Sequence, residues 1–363
     1  MSEPIDPFPR ARRALSLLAV SLLLGACTRA PGASVPPSQP GPSAGSSAVS
    51  SAEPTLEPTA APTAIDGSVA AGLAFVRAVD GLEQLFVVDP DGSERQLTGH
   101  GPHASVGAVQ PLWSPDRTMI AFGPPTIGTG LDVQLWIARA DGTGQRALAV
   151  LGEFTDWSPD SRRLVWTDSV LTSDSRRAPP RLWVGNVVTG KVRELGLLGN
   201  DTRWLPDGER ISYVPYEPPR EPRTMVLAVD GGGQPMPLVE AAGVRWAPDG
   251  GSFAFERDNG IHLADADGGT ARLLLEGAAS PVWSPDGSRL AFVDVDANGN
   301  FVVGVATLDG EIVWAGSPGF DPAWSPDGEH LAVDLTIGEP LIGILDAATG
   351  ERVWELPGRF PDW

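Results

Sequence analysis

Short apolar runs recur from Val69 to the end of the chain, separated by polar stretches rich in Gly, Pro, Asp and Ser. At Trp283-Ser284-Pro285-Asp286-Gly287 one run closes on a Trp, a turn follows, and Leu290-Ala291-Phe292 resumes the apolar pattern. Runs this short, bounded by turn residues, predict β-strands rather than helices. Pro285 pre-sets the first turn position, Asp286 suits the second, and Gly287 tolerates the left-handed conformation of a bulged type I hairpin.

The unit repeats as Trp113-Ser114-Pro115-Asp116, Trp157-Ser158-Pro159-Asp160, Trp204-Leu205-Pro206-Asp207, Trp246-Ala247-Pro248-Asp249 and Trp324-Ser325-Pro326-Asp327. With Trp363 included, the Trp positions are 44, 47, 42, 37, 41 and 39 residues apart. Each interval holds an inner strand ending at the Trp, a second apolar strand, a third such as Leu135-Trp136-Ile137-Ala138, and a fourth after a polar turn such as Asp141-Gly142. Four strands in about 40 to 45 residues is the blade of a β-propeller. The body opens with Leu73-Ala74-Phe75-Val76, a second strand lacking a first, and the chain ends on Phe360-Pro361-Asp362-Trp363, a first strand lacking successors. The expected fold is therefore all-β: a seven-bladed β-propeller of four-stranded blades, closed by pairing of the N-terminal and C-terminal strands, which leaves no exposed sheet edge at the seam.

The repeat resembles that of the TolB-like β-propeller family, a variant of the WD-type repeat with Trp-Ser-Pro-Asp-Gly as its signature. The resemblance covers about residues 69 to 363 and implies a propeller; the family includes scaffolds and enzymes with an added domain. TolB itself carries an α/β domain before a six-bladed propeller, whereas a tether and seven blades are expected here. Arg117 and Ser161 stand where the other copies have Gly. A left-handed residue with a side chain costs about 1–2 kcal/mol, so these two turns are expected to be the less regular ones.

Composition adds compartment and partner class. Arg10, Arg12 and Arg13 precede an apolar run from Ala14 that ends Leu24-Gly25-Ala26-Cys27. This is the order of a basic region, a short apolar core and a small-residue cleavage site, and it is too short to span a bilayer. The last four residues resemble the lipobox of bacterial lipoproteins, which implies lipid attachment at Cys27, the sole cysteine. Residues 1–26 are thus expected to be a signal peptide, 27–66 a Pro/Ser/Ala/Gly-rich tether, and 67–363 the propeller. The predicted location is extracytoplasmic, lipid-anchored to a bacterial membrane.

The chain carries 43 Gly and 36 Pro, and its formal charge of -20 disfavours a nucleic-acid partner. With one cysteine, neither an intrachain disulfide nor a cysteine-rich metal site can form.

Repeated Trp, Pro and Asp residues read as blade fastenings, so chemistry is sought where symmetry breaks. Immediately before the Trp residues stand Leu112, Asp156, Arg203, Arg245, Val282, Ala323 and Asp362. The charged members, Asp156, Arg203, Arg245 and Asp362, are ligand-binding candidates at the channel mouth, with the two Arg offering an anion site; the alternative is an inter-blade salt-bridge network. Asp294, Asp296 and Asn298 have the spacing that opens a calcium loop, yet position twelve is Val305, and a plain hairpin is the alternative. His100 and His103 lack a nearby acidic ligand. The loop from Tyr213 to Arg223 holds both Tyr of the chain and a proline run, so Tyr213, Tyr216, Glu217 and Arg220 are partner-contact candidates. The reading is a monomeric binding or scaffold module for a protein or cell-envelope ligand, not an enzyme and without a cofactor beyond a structural calcium. An enzyme acting on extracellular glycans, hydrolase or lyase, through channel carboxylates is the alternative.

Overall fold

The computed structural model describes residues 67–99, 110–123, 134–151, 153–168, 178–216, 222–335 and 340–363. Cys27, the tether, His100, His103, Glu217 and Arg220 lie outside them. One short 3-10 helix, Gly67–Ala70, precedes an all-β body of antiparallel sheets. No helix among the described residues is long and apolar enough to cross a membrane.

Four sheets follow the expected order along the chain, and each four-strand unit is called a blade, named by its Trp. The Trp113 blade comprises Leu112–Trp113, Met119–Phe122, Gln134–Arg139 and Arg146–Leu151. The Trp246 blade runs through Ala242–Trp246, Ser252–Arg257, Gly260–Asp265 and Arg272–Glu276. The Trp283 blade uses Ala279–Trp283, Arg289–Val295, Phe301–Thr307 and Ile312–Pro318. The Trp324 blade uses Phe320–Trp324, His330–Asp334, Leu341–Asp346 and Arg352–Pro357.

Two features interrupt this succession. The 13-residue strand Val192–Trp204 pairs through its first part with Arg181–Asn186 and through its second with Arg210–Pro215. It is at once the outermost strand of the Trp157 blade and the innermost of the Trp204 blade, which fuses them into one seven-stranded sheet. The second is the pairing of the chain's last strand, Arg359–Asp362, with its first, Ala74–Val79, opposite Asp362↔Ala74. Leu82–Val88 and Glu94–Gln96 complete that sheet, so strands from both ends of the body share one blade.

The core lies between blades. Trp113, Trp157, Trp204, Trp283 and Trp324 are each at most 9% exposed and pack into apolar clusters with side chains of neighbouring blades. Several indole N–H groups reach a backbone carbonyl of the preceding blade: Trp157 to Leu112 at 3.0 Å, Trp283 to Arg245 at 2.9 Å and Trp324 to Val282 at 3.0 Å. Burying an aromatic while bonding its polar edge across the seam makes each Trp an inter-blade fastener. Four Ser hydroxyls, those of Ser114, Ser158, Ser284 and Ser325, bond the turn carboxylate two residues on. The same hydroxyls accept the N–H five residues on, which closes the turn.

The turns at Arg117 and Ser161 are as regular as the rest, contrary to expectation. Both residues take φ near +59°, and their N–H groups bond Ser114 and Ser158 carbonyls at 2.8 Å, matching the 2.9 Å bond from Gly287 to Ser284. Contacts beyond the turn offset the strain. The Arg117 guanidinium lies 4.6 Å from the Trp113 ring and donates to the Gly72 carbonyl at 2.7 Å. Ser161 Oγ accepts the N–H of Asp116 on the neighbouring blade at 3.0 Å. A side chain at the left-handed position can reach the adjacent blade, which Gly cannot.

Candidate functional site

The inner strands carry a repeated bulge three residues before the Trp. Asp201, Ser280, Asp321 and Phe360 adopt φ of 48°, 52°, 48° and 55°, and Gly243 adopts 70°. Each coincides with a shift in register against the strand beside it. The extra residue turns the pleat, as a bulge with a left-handed first residue does. Thr202, Val244, Pro281, Pro322 and Pro361, in between, are buried, while the residues before each Trp keep access to solvent. In the strands ending at Trp204, Trp246, Trp283 and Trp324 the inner wall is therefore lined by the positions one and three before the Trp, whereas Phe360, three before Trp363, is buried in the core.

On one side of that wall the structure brings together three of the four predicted charged residues. Asp156 Oδ2 accepts the Trp204 N–H at 2.6 Å. Burial raises the Asp156 carboxyl above its ordinary range, opposed by Arg203, the Trp204 N–H and Arg245. Asp201, which sequence reasoning missed, sits between the two arginines: Arg245 Nη1 donates to its Oδ1 at 3.1 Å, and Arg203 Nη2 lies 3.9 Å away. Its Oδ2 accepts the Gly243 N–H at 2.9 Å. Burial works against the Asp201 charge, but Arg245, Arg203 and these bonds hold the carboxyl below its usual range. Two carboxyls thus meet two guanidiniums across three blades: Arg245 is hydrogen-bonded to Asp201, while Arg203 stands 3.9 Å from it with its Nε buried without a hydrogen-bond partner among the described residues.

Asp362 belongs elsewhere. It accepts the Trp113 N–H at 2.7 Å, near Arg117. Beside that joint lie two more missed acids. Asp334, 4% exposed, accepts the Phe360 N–H at 3.2 Å through Oδ2. Asp321 is exposed and accepts from Gln110 Nε2 at 3.2 Å, a contact that links the Trp324 and Trp113 blades past the chain's last strand. Asp201, Asp321 and Gln110 share a signal that was available in the sequence: each stands three residues before a Trp.

The partner-loop residues separate. Tyr213 is 3% exposed and packs against Val165, Leu182, Trp204 and Leu227, so its side chain is core and not a contact surface; alternation along Arg210–Pro215 turns it inward. Tyr216, just past that strand, is 49% exposed. In the proposed calcium loop, Asp296 Oδ1 accepts the N–H groups of Asn298 and Asn300 at 2.8 and 2.9 Å, and Asp294 Oδ1 accepts that of Val295 at 2.7 Å. A cation at Asp294, Asp296 and Asn298 would compete with these turn bonds. Two shallow cavities of about 570 and 470 Å³ flank Met236–Val239, on the outer edge of the Trp204 blade and remote from the inner wall.

No protein-family model matches the chain, and no curated protein sequence does. Solved structures do. The chain is similar to TolB from Acinetobacter baumannii at 18% identity and TM-score 0.50, over 80% of this chain and 66% of that one. The Myceliophteria thermophila Cps50 (Swd1) β-propeller domain aligns at 12% identity and TM-score 0.53, over 70% of this chain and 88% of that domain. The body has the fold of the TolB-like and WD-repeat-like β-propellers. An oligogalacturonate lyase from Vibrio parahaemolyticus shares the propeller at 15% identity and TM-score 0.57, over 75% of this chain and 85% of that enzyme. The chain spans just under two thirds of the TolB chain it matches. At these identities the likeness is one of fold.

Proposed function

We propose that the protein is an extracytoplasmic lipoprotein whose propeller, a closed ring of seven blades, is a binding module for a protein or cell-envelope partner. The ring reading rests on bonds across successive seams, including Leu112–Trp157, Asp156–Trp204, Asp201–Gly243, Arg245–Trp283, Val282–Trp324, Asp334–Phe360 and Asp362–Trp113. Anchoring rests on Arg10, Arg12, Arg13, the apolar run and Cys27.

One observation carries the partner reading. Tyr216 is the only aromatic side chain exposed among those whose burial the structure describes, while most of the repeated Trp residues are packed into the seams. An exposed Tyr at the tip of a blade has the composition of a contact anchor. The test is a photo-crosslinker at position 216, used in native membranes with a second at the outward-facing Val188 as control. Capture of one discrete protein or glycan from 216 alone supports the reading; equal, diffuse labelling from both positions defeats it.

A second reading is favoured by the Asp321 and Asp334 pair. Two neighbouring carboxyls, one exposed and one buried, are the equipment of acid–base chemistry on a glycan. A screen of acidic and neutral oligosaccharides decides it: turnover that Asp321→Asn abolishes makes the protein an enzyme, and no turnover leaves the binding module.

A further inference from the structure

Two carboxyls grip the last strand from opposite sides. Asp334, at the end of the second strand of the Trp324 blade, accepts the N–H of Phe360. Asp362, within the last strand, accepts the N–H of Trp113 on the following blade. Several seams, the one at Asp362 included, carry a neutral indole-to-carbonyl bond, and at Asp201 the seam carboxylate faces arginine. Here the balance is poorer. The described groups acting on Asp334 are the Phe360 N–H and the like charge of Asp321, whose own partner is the neutral Gln110 amide. Its Oδ1 is buried without a hydrogen-bond partner among the described residues. Asp362 faces the N–H groups of Trp113 and Trp363 and the Arg117 guanidinium, whose Nη2 donates to Gly72 and whose plane lies over the Trp113 ring, with Nη1 buried without a hydrogen-bond partner among the described residues. The strand's own cation, Arg359, is paired with Glu83 and lies over the Phe360 ring.

We propose that Asp334 and Asp362 make the strand Arg359–Asp362 a pH-responsive latch, seated when both carboxyls carry a proton and loosened when they ionise. The device rests on the pairing of this strand with Ala74–Val79 and not on the identity of any partner. Burial pushes Asp334 up to about 7, against the Phe360 N–H and reinforced by Asp321. Burial likewise pushes Asp362 up to about 7, against the Trp113 N–H and Arg117. A carboxyl raised in the folded chain holds its proton more tightly there than when exposed. The seated strand is therefore favoured below the ordinary carboxylate range and loses that advantage as pH rises from about 4 to 7. Above 7 both groups are ionised in either state, and the loss is complete.

Hydrogen exchange on the full-length protein tests the latch. The measured quantity is the protection of Arg352–Trp363 relative to that of Ser252–Asp265, compared at pH 5.5 and 8.5 after correction for intrinsic rates. The expected result is at least about a ten-fold fall in relative protection for the wild type, and little change for the Asp334→Asn/Asp362→Asn double variant, whose amides still accept the same N–H groups. A pH-independent ratio in the wild type, or an equal fall in the double variant, overturns the proposal. Asp321→Asn, at an exposed position, covers the case in which the double variant does not fold. Removing its charge lowers the midpoint of the wild-type transition if Asp334 is the sensor, and an unmoved midpoint overturns that assignment.

Discussion

Asp156 and Trp204 are joined across a seam: the Asp156 carboxylate accepts the Trp204 main-chain N–H at 2.6 Å. The same carboxylate helps balance Arg203 and Arg245. Asp156→Ala leaves a buried N–H unpaired and the arginines under-compensated, at an expected cost of about 2–4 kcal/mol in urea unfolding. Asp156→Asn keeps an acceptor without the charge and should fall between alanine and the wild type. Equal losses for the two variants would mean that the hydrogen bond contributes nothing.

Arg117 inverts a familiar rule about turns. At φ of 59°, alanine retains the strain and loses the Trp113 and Gly72 contacts, whereas glycine loses the contacts but relieves the strain. Arg117→Gly is expected to be more stable than Arg117→Ala by about 1 kcal/mol, with both below the wild type. Thermal melts of the three proteins provide the ranking.

Deleting Arg359 to Trp363 removes the strand that pairs with Ala74–Val79 and unpairs the N–H acceptors at Asp334 and Ala71. The melting temperature is expected to fall by roughly 10 °C or more. An unchanged melt would show that the fold does not depend on this joint and would count against ring closure.

Acid acts through a different set of carboxyls. Asp286 is pulled down to about 2 by the Ser284 hydroxyl, then by the Ser288 N–H and hydroxyl. A depressed carboxyl contributes stability above the ordinary value of about 4 and loses it as pH falls toward the folded value. The gap in melting temperature between the wild type and Asp286→Asn is therefore expected to shrink between pH 4 and 2. With Asp334 and Asp362 acting on the alkaline side, the melting temperature should peak in mild acid.

Cys27→Ser separates lipidation from ordinary secretion. The variant is expected to lose label from a radioactive fatty acid and to move from the membrane to the soluble fraction on centrifugation. Membrane-bound, labelled product from the variant would refute Cys27 as the anchor.

The fold was legible because its signals are local and repeated. Trp283 to Gly287 specifies a strand end and a turn within five residues, and each copy specifies the same pair again. Strand complementarity at the two ends extended this to the pairing of Arg359–Asp362 with Ala74–Val79. The candidate site was only half legible. Asp156, Arg203 and Arg245 were found by their place beside a Trp; Asp201 and Asp321 stand at an equally fixed place three residues before a Trp, but that spacing does not itself show the bulge, and the position is filled by Asp201, Gly243, Ser280 and Asp321 rather than by one residue type. Tyr213 failed for a related reason: its inward direction is set by strand register, whereas composition placed it in a loop.

The strand Val192–Trp204 sets where this protein tolerates a broken chain. Several other neighbouring blades are joined by one or two residues outside the strands, such as Gly319 and Gly358, where new termini or an inserted domain would fall between strands rather than within one. Between the Trp157 and Trp204 blades the covalent joint is itself a paired strand, so a cut near Leu198 or Gly199 falls inside the ladders of both blades. Circularly permuted versions should fold when opened at the other junctions and fail when opened here.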